Sequence, residues 1–330
     1  MTVPLSRVAL PAHASGRWGN DRLHEQLLEP GTYAVNPERS GPPWRPWEEL
    51  TSAELESLGF YAPLREGSGE LSLGPSGAIA LCLGDLRGTA FIPDRLDGSC
   101  CGLIADLACA SCGSEVALLI DDCGLWQVVW LQPGRVRGTG TDDPVLPWDD
   151  LGDVFARDRS EIPRPAWMKM AGAVTARLLA ASGGVRLTVP DGASLFRDVL
   201  DVLLPPGPPE RPVVMAGPGL PGPDADIALV PEHPQTDEVW RGEVATAVPV
   251  PYVMWRHMAF PDDARRMAIA ATSMPRAALR DDPTPMTWFR ITPDNDTFIE
   301  TLVRLPEVRQ PWLRAIYDRY CRRAWNWPFW

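Results

Sequence analysis

Five cysteines fall within 24 residues, at Cys100, Cys101, Cys109, Cys112 and Cys123, with the spacing C-C-x7-C-x2-C-x10-C. Thiolates two residues apart, as at Cys109 and Cys112, suit one zinc ion, because the intervening turn aims both sulfurs the same way. A pair from the flanking chain then closes the tetrahedron. Cys101, Cys112 and Cys123 are each followed by glycine. A glycine after the second cysteine of a metal turn allows the positive φ that lets amide N–H groups face the sulfurs. Cys109-Ala-Ser-Cys112-Gly113 fits that turn best, and Cys101 and Cys123 are the completing pair. Cys100 points away from Cys101 in an extended segment, so it is the substitute or a bystander. A redox dithiol and inert buried thiols are the alternatives, and a shell of four cysteines also suits iron.

The zinc is expected to be structural. A catalytic zinc keeps one position open and usually takes histidine or carboxylate ligands. The four histidines, His13, His24, His233 and His257, are all distant from the cluster in sequence. Asp121 and Asp122 precede Cys123 and could act as bases, but they equally suit a turn. The H-x-E…P-C-x-x-C pattern of zinc deaminases is missing. His24-Glu25 lacks the second histidine of a zincin helix. G-x-S-x-G is also absent, so an esterase has no nucleophile elbow here. AGPGLPGPDAD (216–226) is glycine-rich, but its prolines and the lack of a Walker lysine favour a connection over a phosphate loop. His233, beside Glu232 after a predicted strand, lies where α/β sheets commonly place ligands. It heads the rival reading, a metabolic hydrolase or transferase using His233, His24 or Asp121-Asp122 in a pocket between two units. No catalytic residue is assigned.

The segment GSCCGLIADLACASCGSEVALLIDDCGLWQVVWL resembles an uncharacterised family of high-GC bacterial proteins. Its CxxCG turn is similar to one half of a zinc ribbon. The resemblance to that family extends to 15–35 and 224–236, and it implies no activity.

Two units are expected to position these residues. The chain has 330 residues, 45% of them hydrophobic, enough for two cores. Thirty-six prolines, roughly twice average usage, imply short elements and stiff connections. A β-rich unit over 1–150 carries the cysteines, with strands at 78–84, 89–93, 115–120 and 125–131 and helical signals at 21–28 and 52–58. The stretch 139–150 reads as a linker. From 151 to 330 helix and strand alternate: a helix through Trp167, Ala171, Val174 and Leu178, a strand at 185–189, a helix at 194–204, and strands at 212–216 and 226–230. Helices at 262–271, 294–304 and 307–325 follow. The expected fold class is therefore α+β or α/β.

The final helix should bury the stripe Val308, Trp312, Ile316 and Tyr320. The aromatic end, Trp325 to Trp330, is expected to pack on the chain's own body or on a partner. A formal charge of −12 argues against a nucleic-acid surface and an anionic membrane. No apolar run is long enough for a membrane span, and the amino terminus does not read as a signal peptide. The expectation is a cytoplasmic accessory protein, stabilised by zinc, that engages a protein partner or a second copy of itself.

Overall fold

The computed structural model describes residues 2–11, 26–41, 43–64, 70–93, 106–120, 126–137, 144–154, 164–208, 211–261 and 291–321. Cys100, Cys101, Cys123, Asp121, Asp122, His13, His24, the predicted helix at 262–271 and the aromatic tail lie outside these residues. The chain is an α+β protein and divides into two compact units. The first comprises Met1–Thr51, Gly67–Val145 and Gln235–Asp237, and the second Ser52–Glu66, Leu146–Pro234 and Glu238–Trp330.

Among the described residues the first unit has nine short strands: β1 (Ser6–Arg7), β2 (Thr32–Val35), β3 (Trp44–Pro46), β4 (Glu70–Ser72), β5 (Ile79–Leu81), β6 (Thr89–Phe91), β7 (Leu107–Cys109), β8 (Glu115–Ile120) and β9 (Val128–Leu131). Seven form one sheet in the order β1-β2-β5-β9-β8-β7-β6, and β3 pairs with β4. Only β1 and β2 run parallel; the other pairs are antiparallel. The period of two sorts the apolar residues into separate clusters. Ala34, Ala80, Ile120 and Val128 gather in one and Leu81, Ala117, Leu119 and Val129 in the other. With both faces covered, these strands read in sequence as continuous apolar runs rather than alternating ones.

The predicted helical signal at 21–28 fails where it can be seen. Leu27 donates its amide to the Gln127 carbonyl, and Gln26 bridges Gln127, so this stretch extends the sheet. Leu27 and Leu28 are buried, and side-chain packing outweighs a weak local propensity there.

The second unit begins with α1 (Ser52–Ser57), then α2 (Leu151–Val154) and α3 (Arg164–Ser182). After these come β10 (Leu187–Thr188), α4 (Arg197–Leu203), β11 (Arg211–Met215), β12 (Ile227–Glu232), β13 (Thr246–Pro251), α5 (Tyr252–Ala259), α6 (Asn295–Val303) and α7 (Pro311–Cys321). Strands β10 to β13 form a parallel sheet in sequence order. The core strand β12 is buried from Ile227 to Pro231, and α3 packs against β13 and α6. Gly172 permits that helix pair: a Cβ there would meet the Asp294 carbonyl oxygen at 2.5 Å.

Strand β13 escapes a sequence reading because Pro249 and Pro251 interrupt it. Being two residues apart, they place both missing N–H groups on the side away from β12, as an edge strand allows. The predicted terminal helix is also divided. A 3-10 turn at Pro306–Arg309 precedes α7, and Gln310 between them is extended (φ −66°, ψ 131°). Pro311 disfavours helix at the residue before it and then serves as the first helical position. The fully buried stripe of α7 is Leu313, Tyr317, Tyr320 and Cys321, while Trp312 and Ile316 are half-buried at its margin.

Candidate functional site: the cysteine hairpin

Strands β7 and β8 meet in a tight hairpin whose turn holds both described members of the cluster. Cys109 ends β7, its amide donating to the Ser114 carbonyl at 2.8 Å. The Gly113 amide returns to the Cys109 carbonyl at 2.8 Å. Gly113 has φ +70°, in the left-handed region that a residue with a Cβ adopts at a cost. On the other side, Thr89 of β6 pairs with Cys109, and the Ala110 amide donates to the Gly88 carbonyl at 2.9 Å. Backbone bonds from two neighbouring strands thus hold the first thiol, whereas the second stands on the turn itself.

Cys109 is half-buried and Cys112 exposed, and neither forms a disulfide. Cys112 Sγ lies 3.4 Å from Ser114 Oγ. The Ser114 hydroxyl, then the Ser114 amide, then the Cys109 side chain hold the Cys112 thiol below its ordinary range by hydrogen bonding. Donors directed at sulfur favour the thiolate, the form that binds a metal. The two sulfurs are neighbours and share a turn lined with donors. Two thiols on one turn are the arrangement that a thiolate pair in a metal site requires.

A buried carboxylate positions this hairpin. Asp106, 1% exposed, stands immediately before β7, and its Oδ1 accepts the Leu119 amide of β8 at 2.8 Å. The pairing register shifts between Leu107 and Ala108, and the carboxylate supplies an acceptor to β8 beside that irregularity. Asp85, also buried, accepts the Gly31 amide at 2.7 Å. Neither residue stands out in the sequence, because each partner lies on another stretch of chain. An aspartate three residues before a CxxC turn is the only available signal.

Among the described residues, no group of three or more histidine, cysteine, aspartate or glutamate side chains is assembled to hold a metal. The remaining ligands of the sequence reading, Cys100, Cys101 and Cys123, are not among them.

His233, the leading candidate of the enzyme reading, does sit at the carboxyl end of β12. It is 3% exposed. Its Nε2 lies 2.9 Å from the Leu146 carbonyl oxygen, which can only accept, so Nε2 carries the proton. The ring meets Trp148 edge-on at 4.9 Å, and the backbone amide donates to Glu238. Beside it, Arg177 Nη1 bonds Glu232 Oε1 at 2.9 Å and the Pro249 carbonyl at 2.8 Å. Each of these contacts fastens a strand end to its surroundings. The glycine loop after β11 is likewise a packing device: a Cβ on Gly217 would stand 2.4 Å from the Trp255 ring. Lys169, the sole lysine, is buried between α3 and α6, with Nζ 3.9 Å from Asp294 Oδ1.

No protein-family model, curated protein or solved structure matches the chain. Among the described residues, no helix is long and apolar enough to cross a membrane.

Proposed function

We propose that this is a cytoplasmic accessory protein whose cysteine hairpin forms half of a structural zinc site. Cys109 and Cys112 supply two thiolates; Cys101 and Cys123 supply the others, with Cys100 the alternative to Cys101. The observation that carries the reading is the Cys109–Gly113 turn, which places both cysteines on one hairpin, closes by the Gly113 amide on the Cys109 carbonyl and sets Gly113 at positive φ. Four thiolates complete the tetrahedron and leave no position for a reacting water, which supports a scaffolding role. The net charge of −12 directs the protein toward a protein partner or a second copy rather than nucleic acid.

Zinc would cross-link the loops that carry the cysteines, so its binding energy contributes to folding. Protein purified without chelator should contain one zinc per chain, and Cys112→Ser should lose it and melt lower. A metal-free protein as stable as the loaded one would overturn the structural role. The rival enzyme reading keeps His233 as its best residue, and a turnover abolished by His233→Gln in a normally folded chain would favour it.

A further inference from the structure

The segment 52–64 lies in sequence inside the first unit, yet it belongs to the second. Helix α1 ends at Ser57; two residues on, Gly59 turns the chain with a φ of +84°, and the Phe60 amide closes back on the Leu55 carbonyl at 2.9 Å. Leu55 and Ala62 are buried. The segment then engages the C-terminal helices. The Tyr61 amide donates to the Val303 carbonyl at 2.8 Å, capping the end of α6. Tyr317 of α7 donates its hydroxyl to the Pro63 carbonyl at 2.6 Å. The Arg304 guanidinium covers the Phe60 ring at 4.6 Å, and Arg309 covers Tyr61 at 4.9 Å while pairing with Glu56.

Thr51 and Gly67, on either side, are assigned to the first unit. An exchange in the other direction also exists. The β12 chain turns back at Glu232–Val239, and Gln235–Asp237 at its tip is assigned to the first unit. Asp237 is the only non-glycine residue with positive φ among those described, a conformation kept where surrounding structure enforces it.

We propose that Ser52–Leu64 is a clasp that makes the two units unfold as one. Unfolding the second unit releases the clasp and leaves the first with a slack internal loop. Unfolding the first turns the chain between the clasp and Leu146 into a long free loop and lowers the clasp's effective concentration at its own helices. The coupling follows from chain threading and is independent of the metal.

The test is hydrogen exchange of the full-length, metal-loaded protein across a urea series. Peptides from β8–β9 and from α3 and α6 should converge on one opening transition, and the Tyr61 amide should join it. Tyr317→Phe, which strands the Pro63 carbonyl, should speed exchange at Tyr61 about tenfold or more and begin to separate the transitions. A second variant keeps every clasp contact and adds a long Gly/Ser insert after Glu66. It should separate the units while Tyr61 stays protected. The proposal is overturned if wild-type units open at distinct urea concentrations, or if the insert leaves them coincident.

Discussion

Replacing Gly172 with alanine sets two effects of opposite sign against each other. Gly172 lies within the 19-residue helix α3, where glycine is less favourable than alanine by about 1 kcal/mol. Propensity alone therefore predicts a more stable protein. The contact predicts the reverse. A Cβ would lie 2.5 Å from the Asp294 carbonyl oxygen and 3.2 Å from the Phe298 amide nitrogen. These are backbone atoms and cannot swing aside. Asp294 is also tied to α3 by its amide bond to the Met168 carbonyl at 2.8 Å, and its carboxylate caps α6 through the Thr297 amide. Relieving the clash means moving α6 outward, loosening Phe298 and Leu302 and stretching that bond. Overpacking costs about 1–3 kcal/mol and the backbone bond about 1 kcal/mol. After subtracting the propensity gain, Gly172→Ala should destabilise by about 2 kcal/mol. For a chain of this length unfolding as one, that lowers Tm by roughly 3 °C. Thermal melts by circular dichroism, with urea melts of unchanged slope, measure it. A variant as stable as wild type or more so would refute the close helix contact.

Asp106→Asn keeps the shape of the side chain but weakens the acceptor for the Leu119 amide. It should destabilise by about 1–2 kcal/mol and lower the one urea midpoint shared by β8–β9, α3 and α6. Gly217→Ala drives a Cβ into the Trp255 ring at a φ of +152° and should cost about 2 kcal/mol or more, visible as a shifted tryptophan emission and a lower urea midpoint. Burial, followed by the neighbouring Cys321, pushes the Tyr317 hydroxyl above the ordinary tyrosine range. A raised folded-state pKa gives stability that is present below about pH 10, where unfolded tyrosine ionises, and lost as pH rises further. Alkaline unfolding should therefore be steeper in wild type than in Tyr317→Phe, with phenolate absorbance from that residue appearing only as the chain unfolds.

Several elements are legible in the sequence because their determinants are local. Strand β8 occupies the apolar run 115–120, and α3 follows its helical spacing to the glycines after Ser182. The CxxCG turn is equally local, so positive φ at Gly113 can be read from residue type. What escapes depends on distant partners. Leu27 extends only because Gln127 is there to accept its amide. Strand β13 tolerates its prolines only as an edge. Asp106 gains its role from a strand 13 residues ahead. Segment 52–64 carries a short helical signal, but nothing in it announces that Val303 and Tyr317 will hold it. Of the stripe expected of one continuous helix, Val308 and Tyr320 are buried but Trp312 and Ile316 only half-buried, since Pro311 starts a new helix and resets the phase.

The central claim is that the cysteine hairpin binds a structural metal. X-ray absorption at the zinc edge, on full-length protein purified without chelator and with metal content measured on the same sample, addresses it most directly. The expected result is one zinc per chain with four sulfur neighbours at about 2.3 Å and no nitrogen or oxygen ligand. Protein that is folded and monodisperse yet free of zinc and iron, or zinc coordinated mainly by nitrogen and oxygen, would contradict it.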